Sequence, residues 1–430
     1  MVSSVLQTLY QIIDAYWVGK LGPEALAAIG GASFVLWAIL SLTALSINGI
    51  TTLVAQNIGA GKEDAAKYVA GQGLLLSTLI TIILSVSIFY LQDALFNLMG
   101  FSPNVGAMAY SYMTVLLAGL IFMFWFLSLE AVFRGLGDTK TPMLILAVAL
   151  AFNSIADPVF IFGWFGLPAM HIGGAAIGTV LAHMIAAILA YYFLKRKNFL
   201  PVLRSDRGFK IDYYILKRML NIGTPIALGG FFFSIIYVVL TRIIANFGTE
   251  AIAAIGVCHR VEGIAWFACV GFSVAASTLV GQFVGARQIN KAGNAAWLVN
   301  GYGCLALLFV SVVFYIFPEG LIRIFTMDAD VVKIGVEYLR IVAIFETFLA
   351  LEVIMEGVFS GAGYTLPVML VSIPITGARI PLAWYFSISL GMGTAGIWWA
   401  IAGTTFLKGF LNTVLFAVGL WKKKLDLVPV

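Results

Sequence analysis

The chain has 430 residues, of which 61% are hydrophobic and only 10% charged, with a mean hydropathy of +1.01 and a formal net charge of +5. Such a chain lives in lipid rather than in water. Its surplus of Lys and Arg is spread along the chain by topology instead of forming one basic face, which argues against a nucleic-acid partner.

A bilayer core of about 30 Å takes roughly 20 apolar helical residues to cross. Twelve runs meet that length: 1–19, 24–49, 67–92, 105–133, 142–163, 172–194, 219–247, 250–275, 292–317, 331–359, 367–388 and 394–420. None has the alternating pattern of a membrane barrel, and lipid offers no partner for a free N–H or C=O, so the spans are helices. The expected fold class is an all-α polytopic membrane protein with twelve transmembrane helices. Even-to-odd connections carry Lys62, Lys67, Arg134, Lys140, the segment 195–218, Arg287, Lys291 and the final "WKKK". The opposite connections carry only Lys20, Arg323 and Lys333. Positive charge marks the cytoplasmic side, so both termini are expected there.

Span 1 carries Asp14, six residues before Lys20 and hence about 9 Å below the outer end. After it comes "LGPEALAAIGG" (21–31), which returns as "FGTEAIAAIGV" (247–257) with seven of eleven positions matching at an offset of 226. The same offset relates "LVAQNIGAGK" (53–62) to "LVGQFVGARQ" (279–288) and "EAVFRGLG" (130–137) to "EGVFSGAG" (356–363). Each copy holds six spans, an even number, so the copies are parallel repeats related by an axis along the membrane normal. The expected division is an N-lobe over 1–194, a cytoplasmic inter-lobe loop over 195–218, and a C-lobe over 219–430.

Span 5 holds "NSIADPVFIFG" (153–163). Asp157 lies about 22 Å above the cytoplasmic face, and Asn153 shares its side of the helix one turn earlier. Thr179 reaches a similar level about 10 Å into span 6. Asp14, Asn153, Asp157 and Thr179 therefore offer two carboxylates, an amide and a hydroxyl at one depth, hard oxygens suited to a small cation or a proton. An aspartate at that depth costs about 2.5 to 3.5 kcal/mol on insertion scales and needs a compensating role. The plainer alternative is a carboxylate that satisfies backbone groups freed by Pro158.

The second copy lacks this set: the offset carries Asp14 to Leu240, Asn153 to Arg379 and Asp157 to Ala383. Glu262 lies about 18 Å into span 8, where it either meets a cationic substrate or pairs with Arg242 or Arg379. Glu262 and Arg379 are thus candidate substrate-cavity residues. Glu130 is expected to pair with Arg134 one turn on. Glu346 and Glu352 in span 10 have no repeat equivalent and no neighbouring charge in the sequence. Cys258, Cys269 and Cys304 lack metal-ligand spacing and read as packing residues. His171, His183 and His259 form no catalytic or metal motif, which argues against an enzyme.

Taken together, "IIDAYWVGKLGPEALAAIG", "LVAQNIGAGK", "RGLGDTKTPM", "NSIADPVFIFG" and "RVEGIAWFACVGFSVAASTLVGQ" resemble the multidrug and toxic compound extrusion (MATE) family along essentially the whole chain. That resemblance implies two six-helix lobes in a prokaryotic plasma membrane. It also implies export of organic, often cationic compounds by a monomer that uses no cofactor beyond inward Na+ or H+. The family's Asp in span 1, Asn and Asp in span 5 and Thr in span 6 match Asp14, Asn153, Asp157 and Thr179, which would be the ligands if the ion is Na+. Family members usually start some twenty residues earlier, so span 1 reads as short. Some branches place acids in span 7 and near the end of span 10. Here those stretches read "GGFFFS" and "SGAGY", which favours the archaeal and DNA-damage-inducible branch. A lipid-linked oligosaccharide flippase of the same superfamily is the alternative, and would call for more mid-span cations than this chain shows.

Overall fold

The computed structural model describes residues 13–14, 16–99, 101–202, 204–205, 208–209 and 211–424. The chain is helical, with two two-residue strands, Arg204–Ser205 and Gly208–Phe209, paired antiparallel in the connection between spans 6 and 7. Spans 2 to 9 are Pro23–Gly59, Glu63–Leu98, Pro103–Gly135, Lys140–Phe162, His171–Arg196, Tyr213–Ile244, Thr249–Gly285 and Ile289–Ile316. Span 11 is Leu366–Trp384, continued by a wider π turn over Tyr385–Ser389, and span 12 is Thr394–Ala417.

Ten of the described helices are long and apolar enough to cross a membrane. The other two expected spans account for the difference from twelve. Much of span 1 lies outside the described residues. Span 10 is broken at Ile344 and Phe345 into Ala329–Ala343 and Glu346–Ala362, each too short alone. A second departure is that the "LVAQNIGAGK" block, beyond the expected end of span 2 at residue 49, continues that span as helix as far as Gly59. Its apolar run continues toward the polar Glu63, and the turn waits for Gly61, whose φ of +72° suits a residue without Cβ.

The chain divides into two compact units, residues up to Leu220 except 59–61, and the remainder from Asn221. Span 7 begins in the first of them: Met219 fills the space left by Gly49, and the Asp212 N–H donates to Gln72 Oε1 at 3.0 Å. Each unit has its own apolar cluster, one around Val18, Phe124 and Ile161, the other around Val280, Phe359 and Trp398.

Turns recur with the offset read from the sequence. Positive φ appears at Gly22 and Gly248, at Gly61 and Arg287, and at Gly137 and Gly363. Close approaches recur too. A Cβ on Gly135 would meet Val54 and the Thr51 carbonyl, and one on Gly361, 226 residues on, would meet the Ser277 backbone.

Polar residues in the connections cap helices. Ser102 and Asp328 accept from N–H groups at the starts of spans 4 and 10. Asp138, in "RGLGDTKTPM", accepts from the Lys140 and Thr141 N–H groups and the Thr141 hydroxyl, and meets Lys197 Nζ at 3.0 Å. Burial pushes the Asp138 carboxyl up, but these bonds and the Lys197 charge outweigh it and hold the group below the usual carboxylate range.

Candidate functional site

Asn153 and Asp157 are one helical turn apart in span 5 and both fully buried. Asn153 Nδ2 donates to Asp157 Oδ1 at 2.7 Å. Span 6 comes close here because small residues line it. Gly174 seats against the backbone of Phe160 and Ile161, and a Cβ on Gly178 would collide with the Asp157 carboxylate. Thr179 follows directly. Val18 of span 1 shares an apolar cluster with Ile161, Ile172, Ala175 and Ala176, and the Trp17 ring meets Phe162 edge-on at 6.3 Å. Asp14 stands one turn before Val18, Asp157 one turn before Ile161, and Thr179 one turn beyond Ala175. That register brings the three helices together at the level of the four predicted residues.

Each of the four presents a buried oxygen with no hydrogen-bond partner: Asp14 Oδ1, Asn153 Oδ1, Asp157 Oδ2 and Thr179 Oγ1. A buried acceptor left unpaired costs about 1 to 3 kcal/mol, and more when charged, so four in one region carry a cost that their protein neighbours leave unmet. The plainer reading of Asp157 does not fit this geometry. Its Oδ1 takes the Asn153 amide and its Oδ2 takes nothing, so neither oxygen caps backbone freed by Pro158.

The equivalent place in the second unit is filled differently. Arg379, at the position of Asn153, is buried. Its Nε donates to Thr404 Oγ1 at 2.7 Å, Nη2 to Thr405 Oγ1 at 2.8 Å and Nη1 to the Tyr237 hydroxyl at 3.0 Å. Thr404 and Thr405 correspond to Gly178 and Thr179 at the same offset. A guanidinium thus sits where the first unit keeps free oxygens. Arg379, a candidate substrate-cavity residue of this unit, is held in place by three hydroxyl groups.

Glu262 forms no ion pair with Arg242 or Arg379 among the described residues, and Arg242 is exposed. Its Oε2 instead accepts from the buried Tyr338 hydroxyl at 2.7 Å. Glu352 was expected to lack a neighbouring charge, but it pairs with Lys408 of span 12, which is 3% exposed. Sequence reading missed Lys408. The available signal was a lone Lys fourteen residues into the last apolar run, about 21 Å from its start. Glu130 pairs with Arg134 at 2.6 Å as expected, whereas Ser360 stands at the Arg134 position in the second unit. Cys258 and Cys304 make only weak contacts to the Gly335 and Thr347 carbonyls, as packing residues do.

A family model described as MatE matches residues 1–159 and 225–385. The chain is 31% identical over 431 residues to a probable multidrug resistance protein NorM of Thermotoga maritima, covering 99% of this chain and 91% of that one. It is 27% identical to the probable multidrug resistance protein YoeA of Bacillus subtilis, covering 99% and 92%. Among solved structures, a MATE protein in its bent conformation superposes with a TM-score of 0.91 at 25% identity, covering 98% of this chain and 94% of that one. An outward-facing multidrug resistance MATE family transporter of the MOP superfamily superposes with a TM-score of 0.90, also at 25% identity, covering 99% and 94%.

Proposed function

The chain belongs to the multidrug and toxic compound extrusion (MATE) family of multi-pass membrane transporters, and we propose that it is a secondary antiporter that exports organic cations in exchange for inward Na+ or H+. The reading is carried by the four unpartnered oxygens of Asp14, Asn153, Asp157 and Thr179 in a buried, apolar setting. Such a set stabilises whichever state holds a cation, which is what coupling requires. The multidrug names of its relatives support drug-like substrates.

When the site opens outward, a cation binds and neutralises the carboxylates, and the arrangement of spans 1 and 5 that held the drug gives way. Asp157 sits beside Pro158, where a helix bends most easily, so span 5 is the natural moving element. The lysines and arginines of the even-to-odd connections support a topology with both termini in the cytoplasm of a prokaryotic cell. A lipid-linked oligosaccharide flippase is less well supported, because Arg379 and Lys408 are already held by their neighbours.

Linkage makes the coupling measurable without transport: if the cation weakens drug binding, the drug weakens cation binding by the same factor. Drug affinity in detergent should fall as sodium rises or pH drops, and Asp157→Asn should flatten that dependence. An affinity indifferent to both ions would rule the site out as the coupling element.

A further inference from the structure

The ends of spans 5 and 6 far from Asp157 carry more positive charge than their protein neighbours meet. Lys140 opens span 5, about 26 Å along that helix from Asp157. Lys195 and Arg196 close span 6, and Lys197 follows directly. Asp138 ties the two ends together, accepting from the Lys140 N–H at 3.1 Å and meeting Lys197 Nζ at 3.0 Å. The acids near these helix ends are taken: Asp138 by Lys197, Glu130 by Arg134, and Glu63 and Asp64 of span 3 by Lys67. Lys140, Lys195 and Arg196 are exposed and have no acidic partner among the described residues.

Below these cations the exposed side of span 6 is ordered by depth. Ile188, Tyr192 and Arg196 follow one another four residues apart, a single stripe along the helix. Ile188 and Tyr192 are 59% and 54% exposed, and Tyr191 with Lys195 repeats the arrangement beside them. An apolar side chain, a ring with a polar tip and a cation, one turn apart, match acyl chain, interface and headgroup in that order. The equivalent end of the second unit is closed instead. There the offset of 226 puts Ala417 and Val418 for the two tyrosines, and Trp421 and Lys422 for Lys195 and Arg196. Trp421 is buried and stacks on Phe416 at 5.3 Å, and Lys422 Nζ lies 5.5 Å from its ring centre. Topology and the helix dipole favour cations at both ends alike, so they explain the charges and not the outward tyrosines beneath them.

We propose that the joined ends of spans 5 and 6 bind an anionic phospholipid, with Lys140, Lys195 and Arg196 on the phosphate headgroup and Tyr191, Tyr192 and Ile188 along the glycerol and upper acyl chain. Free phosphate would engage the cations and give the stripe below them no part; a lipid uses both. Bound there, the lipid fastens the two helix ends to each other and to the leaflet, so that bending at Pro158 moves the opposite ends. The binding does not depend on the role proposed for Asp157.

The test is thermal unfolding of the full-length protein, stripped of lipid in detergent. Phosphatidylglycerol should raise the midpoint saturably, while phosphatidylcholine at equal mole fraction and inorganic phosphate at equal concentration should not. Lys195→Gln with Arg196→Gln should raise the half-saturating amount of phosphatidylglycerol about tenfold, and Tyr192→Ala should raise it by a smaller factor. Should the double variant fail to fold, Lys140→Gln on span 5 should weaken the response in the same direction. Lys422→Gln, at the equivalent end of the second unit, should leave it unchanged. No shift with phosphatidylglycerol, or an equal shift with phosphatidylcholine or inorganic phosphate, would overturn the proposal. So would a response that ignores the span 5 and span 6 substitutions, or one that Lys422→Gln weakens as much as the double variant does.

Discussion

The level at which span 5 meets span 6 and the level at which span 11 meets span 12 are built from one pattern and filled in opposite ways. In the first unit, the Asp157 carboxylate packs against Gly178, and Asn153, Asp157 and Thr179 leave oxygens unpaired. In the second, Arg379 stands for Asn153, Ala383 for Asp157, Thr404 for Gly178 and Thr405 for Thr179, and every nitrogen of the guanidinium has a partner. One copy holds unpaired buried oxygens and the other a covalently attached positive charge. A cation that cannot leave can only hold helices together; one that can leave makes an arrangement reversible.

The strongest way to break this contrast is to remove the receiving charge. Asp157→Asn keeps volume and the Asn153 contact side, so the protein should insert and express normally while drug resistance of an efflux-deficient host falls to background. Normal resistance at equal expression would contradict the assignment. Next in size is the second cation fixed in the C-terminal unit. Lys408→Met should cost up to about 3 kcal/mol, because it leaves the largely buried Glu352 unpaired. Adding Glu352→Leu should recover most of the loss in thermal unfolding in micelles, and no recovery would mean the pair is not the cause.

Gly178→Ala sharpens the comparison by giving the first unit part of the bulk that Thr404 has in the second. Its Cβ would displace the Asp157 carboxylate, so cation affinity should fall about tenfold, near 1.4 kcal/mol, with little change in expression. Direct titration of the cation would show it. The smallest effect lies outside both sites. Because the Asp138 carboxyl is held below its unfolded value, its contribution is present above the ordinary carboxylate pKa and is lost as pH falls through the lowered folded value. Asp138→Asn should therefore flatten the acid limb of stability slightly. The change in slope is read from melting temperatures between about pH 5 and pH 2.

The repeat, the helical class and the Asn153–Asp157 pair were legible because each rests on short-range spacing: a constant offset, a run of apolar residues, one helical turn. Glu130 with Arg134 is of the same kind. What stayed hidden depends on residues far apart in the chain. Glu352 and Lys408 are 56 residues apart, and Tyr338 finds Glu262 across 76. The break in span 10 was invisible for another reason. No proline or glycine sits at Ile344 or Phe345, so local propensity gives no warning.

That break bears on how the chain is made. At 1.5 Å per residue, the fifteen residues of Ala329–Ala343 reach about 22 Å, short of a bilayer, and they carry Asp330, Lys333, Glu337 and Arg340. Segments that short and that charged do not partition into lipid alone during synthesis. Span 10 must then be retained by helices already in place, and span 8, which offers Glu262 to Tyr338, is emerging before it. Insertion of span 10 in a glycosylation-reporter fusion should be poor in isolation and efficient behind spans 7 to 9; equal insertion in both settings would show that it needs no such help.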